Sequence, residues 1–287
     1  MSTSTENNRE TIDSYLEKNK LPCLYILTPC YGGVCYTSYT KSLMSTVEKL
    51  KQYNIDVHIE FCNNDSLISR ARNNLIAKAM SNPRTTHIMF IDADITWNAE
   101  EIIKLLITDK DLCGGVYPMK KYNWDRMLKP VPNEKKGSVL SQWIENKDNT
   151  VFKDIVDDKT FIQHKLLSYN LNYTSNKITI NDNMAEVRHI ATGFMLIKRT
   201  VIEQMAKAFP YTKYTDDIGF LNKTENEFAY ALFDCGVEND HYLSEDWMFC
   251  ERWRKLGGSI YVDVTINLIH TGTEQYNGCY LANIMTK

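Results

Sequence analysis

The sequence predicts an α/β fold in which a mostly parallel central sheet is covered by helices, and three observations predict it. Short apolar runs recur along the first half of the chain, and amphipathic stretches of helical length separate them. The run His87 to Ile91 is continuously apolar after its first residue, as a strand buried on both faces requires.

The elements follow in order. Residues 1–20 are polar, with at most a short helix around Thr11 to Lys18, and are read as a tail, ordered structure beginning at Leu21 or Pro22. The apolar run Cys23 to Leu27 is a strand, a Gly-containing loop follows, Tyr39 to Leu50 is an amphipathic helix, and Val57 to Phe61 is again strand-like. A helix from Ser66 to Met80, the run His87 to Ile91, a helix from Ala99 to Ile107 and the run Asp111 to Tyr117 extend the alternation. After Pro118 it fails. Lys120 to Lys136 is basic and contains prolines, and Gln142 to Asn183 is polar with scattered aromatics, so residues from about 119 to 184 read as a variable insertion. Regularity returns with Val187 to Ile197, a helix from Arg199 to Ala208, a strand Phe228 to Phe233, a helix from Glu245 to Leu256 and a last strand Ser259 to His270. No internal repeat divides the chain, so 21–287 is expected to be one domain.

Composition narrows the function classes. A formal net charge of -3 over 287 residues provides no basic field for nucleic acid. No run approaches the roughly 18 apolar residues of a membrane span. Met1 to Arg9 lacks the apolar stretch of a signal peptide, so a cytoplasmic location is expected. The 8 cysteines include no CxxC pair and read as reduced thiols rather than a disulfide frame or a zinc site. The Asn-X-Ser/Thr triplets at Asn64, Asn172 and Asn222 would matter only in a secretory compartment.

The strongest local signal is His87-Ile-Met-Phe-Ile-Asp-Ala-Asp94, a buried strand that ends in two carboxylates. Ligands of open α/β sheets bind beyond the carboxyl ends of strands, where Asp92 and Asp94 emerge. Two acids at i and i+2 can approach one Mg²⁺ or Mn²⁺ together with phosphate oxygens. The plainer alternative is that they cap the helix beginning near Asn98. Other segments also have two readings. Thr28, Pro29 and Tyr31 close the first strand before Gly32 and Gly33, where they could meet a nucleotide or only make a tight turn. Arg70, Asn73 and Asn74 share one face of their helix, pointing to a donor or to solvent, and Arg70 could pair with a diphosphate or an active-site carboxylate. Asp246 heads a core-facing stripe with Phe249, Cys250 and Trp253, behind Ser244 as N-cap and before Gly257 as stop, though Glu245 and Asp246 could simply complement the helix dipole. His270 continues the phase of Ile260, Val262, Val264, Ile266 and Leu268, an imidazole where an apolar residue was due.

Asp92-Ala93-Asp94, closing a strand after two β-α units, resembles the Asp-X-Asp motif of the GT-A fold glycosyltransferases, and the resemblance runs in element order from about Leu21 to about Gly278. It implies a GT-A, Rossmann-like sheet and a nucleotide-sugar co-substrate, such as a UDP-sugar. In it Asp92, Ala93 and Asp94 would bind the donor diphosphate through Mn²⁺ or Mg²⁺, with Thr28, Pro29 and Tyr31 at the nucleoside and Arg70, Asn73 and Asn74 on the donor side. His270, followed by Thr271-Gly272, resembles the C-terminal His that adds a metal ligand. Glu245-Asp246 resembles the acceptor-side acidic motif, with Asp246 the favoured base and Glu245 its competitor. Gly114-Gly-Val-Tyr-Pro118 and Ala191-Thr-Gly-Phe-Met195 resemble pocket-lining segments, with strand packing the alternative. The acceptor would be a hydroxyl of a glycan, a protein or a small molecule. Two rivals stand beside this reading. A sugar nucleotidyltransferase would carry a basic Gly-rich loop after the first strand, and Thr28 to Tyr36 has no base. A non-catalytic nucleotide-sugar-binding protein would have little need of both acidic pairs.

Overall fold

The structure is a computed structural model that describes residues 12–130, 137–147, 157–175, 177–272 and 274–285. In chain order its elements begin with α1 (Ile12–Lys18), β1 (Cys23–Cys30), α2 (Thr37–Gln52), β2 (Asp56–Asn63), α3 (Ile68–Ser81), β3 (His87–Ile91), β4 (Ile95–Thr96), α4 (Ala99–Ile107) and β5 (Leu112–Gly114). The middle holds β6 (Pro118–Tyr122), α5 (Val139–Asn146), α6 (Asp158–Leu166), β7 (Leu167–Tyr169), β8 (Leu171–Tyr173) and β9 (Ile180–Asn181). The remainder is β10 (Met184–Ile190), β11 (Phe194–Lys198), α7 (Arg199–Ala208), α8 (Lys223–Asn226), β12 (Gly236–Glu238), β13 (His241–Leu243), α9 (Glu245–Lys255), β14 (Ile260–Asp263), β15 (Ile269–Thr271), β16 (Gln275–Asn277) and α10 (Tyr280–Met285).

The central sheet has 9 strands in the order β2-β1-β3-β11-β5-β14-β10-β8, with β9 also on β10. Pairing is parallel from β2 through β3 and between β5 and β14. Strand β11 is antiparallel to both β3 and β5, and β10 is antiparallel to its neighbours, so among the described strands of the sheet these two run against the rest. The sheet is therefore mostly parallel in direction, as expected.

Alternation along each strand feeds two cores. Leu24 and Ile26 of β1, with Met89 and Ile91 of β3, pack under α1, α2 and α4 through Ile12, Tyr15, Tyr39, Leu43, Leu50, Ile102 and Leu106. Tyr25, Leu27, Ile88 and Phe90 face the other way, onto Leu75 and Ile76 of α3, Val201 and Met205 of α7, and Phe249 and Trp253 of α9. Strands so covered must be apolar on both sides, hence their unbroken runs.

Several expectations change. The stretch read as a tail contains α1, whose Ile12 and Tyr15 are buried. The regular stretch Val187 to Ile197 resolves into two strands: the chain breaks at Ala191 to Gly193 and resumes three places away in the sheet. Phe228 to Phe233 forms no strand. Its backbone meets residues 212–214 at one isolated bridge, Tyr230 with Lys213, while Asn73 bonds both the N–H and the carbonyl of Phe233 and Arg252 donates to the carbonyls of Ala231 and Leu232. The last strand also divides, because Asp263 accepts from the backbone and hydroxyl of Thr265 and turns the chain, so that β15 joins β4 and β16 in a separate small sheet. Within the expected insertion, β8 and β9 extend the central sheet at its edge beyond β10. No helix among the described residues is long and apolar enough to cross a membrane.

Two buried histidines make stability acid-sensitive. Burial lowers both His87 and His164 from 6.5 to about 4. The unfolded chain therefore takes up these protons first, and the stability held above pH 6.5 is lost as pH falls towards 4. Urea midpoints measured at pH 7 and pH 4.5 should drop with acid, and His87→Asn should shrink that drop.

Candidate active site

The carboxyl ends of β1 and β3 open into a cleft of about 500 Å³. Pro29, Tyr31, Val34, Cys35 and Tyr36 form one wall, Asp65, Ser66, Ile68 and Arg72 the other, and Asp92, Ala93 and Asp94 the floor. The first wall is shaped by Gly32 and Gly33, whose φ values of 78° and 66° lie in the left-handed region that glycine tolerates. It presents Tyr31, 76% exposed, over the cleft, and the Tyr36 amide ties it to the Ala93 carbonyl at 3.1 Å. Pro29 and Tyr31 thus lie where the sequence placed them. Thr28 does not: it is fully buried beneath the cleft, its hydroxyl hydrogen-bonded to Tyr39 at 2.5 Å.

On the floor, the Ile95 amide bonds back to the Asp92 carbonyl at 3.0 Å, and this turn sends the two carboxylates apart. Asp92 turns to Arg72, at 3.0 Å, whereas Asp94 meets Lys120 of β6 and lies 3.5 Å from His270 Nε2. The pairing of β15 with β4 delivers the imidazole, aligning His270 with Ile95, and the Thr271 amide fastens to the Asp94 carbonyl at 2.8 Å. Of the three expected metal ligands, the structure brings Asp94 and His270 together and holds Asp92 on a guanidinium.

The tautomer of His270 is set by its other nitrogen. Nδ1 lies 2.8 Å from the Pro118 carbonyl, which can only accept, so Nδ1 carries a proton. In the neutral ring Nε2 is then a lone pair facing the lone pairs of Asp94. A positive centre between them resolves that opposition, and two ligands on one cation at 2.0–2.2 Å stand roughly 3 to 3.5 Å apart. The pair fits a divalent cation in spacing and in donor chemistry. Burial raises Asp94, but the Lys120 ammonium and, in the doubly protonated ring, the Nε2–H of His270 outweigh it and hold the carboxyl below the usual range.

Arg72, the residue that sequence reasoning missed, joins the acidic groups. It is buried, contacts Asp92 and lies 3.4 Å from Glu245, and its Nη1 has no hydrogen-bond partner among the described residues. A sequence signal existed: Arg72 falls in the sheet-facing stripe with Leu75, Ile76 and Ala79, a cation where apolar residues were due. Arg70, chosen instead, is clamped by Asp65 at 2.7 and 2.9 Å and does not contact Asp92. Asn73 and Asn74 are buried away from the cleft, Asn73 on Phe233 and Asn74 on Tyr214 and Asp216, because that face of α3 packs against the segment after α7.

At the head of α9, Asp246 is buried and accepts from the Ser244 hydroxyl and from the Trp247 amide at 2.9 Å. Ser244 holds the N-cap position, yet its hydroxyl serves Asp246 instead of a helix amide. Desolvation raises the Asp246 carboxyl above the usual range. Gly257, at φ 83°, follows the helix as expected. Gly114 answers to strand packing, since a Cβ there would lie 2.3 Å from the Phe194 carbonyl oxygen. Gly193 answers to the site, since its Cβ would stand 2.6 Å from the Tyr117 hydroxyl and 2.9 Å from Asp92. Gly193→Ala should cost about 1–3 kcal/mol in a urea titration, as overpacking does, and should displace Asp92.

No protein-family profile matches the sequence, and no curated protein is similar to it at a significant level. Among solved structures the chain is similar to the A197 protein from STIV, at a TM-score of 0.43 and 12% identity over 87% of this chain and 86% of that one. It is also similar to 4-diphosphocytidyl-2C-methyl-D-erythritol synthase from Anaerococcus prevotii DSM 20548, at a TM-score of 0.32 and 10% identity over 69% of this chain and 82% of that one.

Proposed function

We propose that this chain is a divalent-metal-dependent glycosyltransferase that moves a sugar from a nucleoside diphosphate donor, such as a UDP-sugar, to an acceptor hydroxyl. The observation that carries the reading is Asp94 facing His270 Nε2 at 3.5 Å on the floor of a cleft at the carboxyl end of the sheet. Asp94 and His270 would hold Mn²⁺ or Mg²⁺, with Asp92 as the third candidate ligand. The bound ion supplies positive charge for the departing diphosphate.

The chain's own residues provide the remainder. Tyr31 and Tyr36, partly exposed on the cleft wall, offer rings for a base to stack on. Arg72 holds Asp92 and Glu245 in place, and Lys120 lies within reach of a phosphate near Asp94. Asp246 takes the acceptor proton as the acceptor oxygen bonds to the anomeric carbon and the bond to the diphosphate breaks, which inverts that carbon. Its raised proton affinity suits a base.

The test is a thermal-shift screen of nucleoside diphosphates, their sugars and nucleoside triphosphates, with Mn²⁺ and with chelator, followed by assay of hydrolysis. Stabilisation by a nucleotide sugar that requires metal, with slow release of the diphosphate, is expected. Preference for a triphosphate with pyrophosphate release would replace the reading with nucleotidyl transfer. Tight donor binding without turnover across acceptors would leave a binding protein.

A further inference from the structure

We propose that Cys23, Asp56 and His58 form a zinc site at the end of the sheet opposite the cleft, clipping edge strand β2 to β1. The inference does not rest on the transferase reading. Cys23 and Cys30 begin and end β1, so this cluster lies about 23 Å from the cleft at the usual rise per strand residue.

Parallel register builds the cluster. Cys23 stands opposite Asp56 and Tyr25 opposite His58, which puts a thiol, a carboxylate and an imidazole on one face of two neighbouring strands. Tyr25 fixes the imidazole, the two rings stacking at 4.6 Å and 11°, and its own hydroxyl accepts from Asn82 at 3.0 Å. His58 Nε2 is thereby held 3.2 Å from Asp56 Oδ2, and Cys23 Sγ lies 3.8 Å from the same oxygen. All three donor atoms fall within 4.8 Å of one another. A tetrahedral Zn²⁺ with ordinary bond lengths keeps sulfur, nitrogen and oxygen ligands about 3.3–3.6 Å apart, so small side-chain movements close the site. Cysteine spacing did not reveal it because the ligands come from two strands.

The donor set selects the metal. Thiolate with imidazole and one carboxylate suits Zn²⁺, whereas the facing pair in the cleft, Asp94 and His270, is a carboxylate and an imidazole alone. Arg84 approaches Asp56 at 2.9 Å and competes for it, but its side chain is 67% exposed and can swing into solvent. The fourth position is open to water. Bridging β1 and β2 secures the outermost strand of the sheet, so bound metal should raise the unfolding temperature.

Cobalt substitution tests the site on the full chain. One equivalent of Co²⁺ should produce thiolate charge-transfer absorption and tetrahedral visible bands that Zn²⁺ displaces. Cys23→Ser should abolish the near-ultraviolet band. His58→Gln, at a partly exposed position that leaves the core untouched, should weaken binding by more than the roughly 10- to 100-fold seen when an outer-shell partner is lost. The double variant Cys35→Ser with Cys235→Ser, which removes the exposed thiols, should bind as wild type does. Absence of the band in wild type, its loss in the double variant, its survival in Cys23→Ser, or an unchanged Co²⁺ affinity in His58→Gln would overturn the proposal.

Discussion

Asp94→Asn should weaken metal-dependent binding of a nucleoside diphosphate by on the order of 100-fold, which is about 3 kcal/mol. The amide keeps the size of the side chain but gives up the charge that faces both Lys120 and His270. Asp94 lies at the rim of the fold, with its side chain 26% exposed, so unfolding should shift little. His270→Ala should act in the same direction and raise the metal concentration needed for half-maximal binding, because it removes the other half of the facing pair. Calorimetry with and without chelator reads both variants. Equal affinity in excess chelator would remove the metal from the donor site, and an unchanged metal midpoint in His270→Ala would make that residue structural, held by Pro118.

Asp246→Asn should retain donor and metal affinity while transfer falls by about 10²- to 10⁴-fold, the usual worth of a general base. Glu245→Gln should do less, since Glu245 is engaged with Arg72 rather than with the Ser244 hydroxyl. Burial also predicts the acid limb of the pH profile. A base must be ionised to act, and because desolvation raises Asp246, activity should fall at a higher pH than an ordinary carboxylate would set. Circular dichroism of each variant comes first, so that a rate is compared between folded proteins. Collapse in Glu245→Gln with near-normal turnover in Asp246→Asn would move the base by one residue. Normal turnover in both would take α9 out of the chemistry.

The features legible in the sequence were those that repeat locally. The alternation of apolar runs and helical stretches identified β1, β3, α2, α4 and α7, because each buries a periodic face against a layer that any such sequence would need. Asp92 and Asp94 were legible for a related reason: a strand buried on both sides delivers the residues after its last apolar position to one edge of the sheet. Phe228 to Phe233 misled because it is as apolar as a strand, yet its backbone follows an irregular path, meeting residues 212–214 at a single bridge and bonding to the side chains of Asn73 and Arg252.

By itself, then, the sequence determined the α/β class and the emergence of Asp92 and Asp94 at the carboxyl end of β3, where the cleft opens. Tertiary structure alone decided which side chains meet there. It buried Thr28 under Tyr39, turned Asn73 and Asn74 into the core, clamped Arg70 on Asp65 and put Arg72 between Asp92 and Glu245. It also carried His270 to Asp94 across most of the chain's length. The physical reason is that helical and strand periods state which residues share a face but not what that face will touch. Contact is settled by how the elements pack, and a charged group is held where the packing supplies its partner.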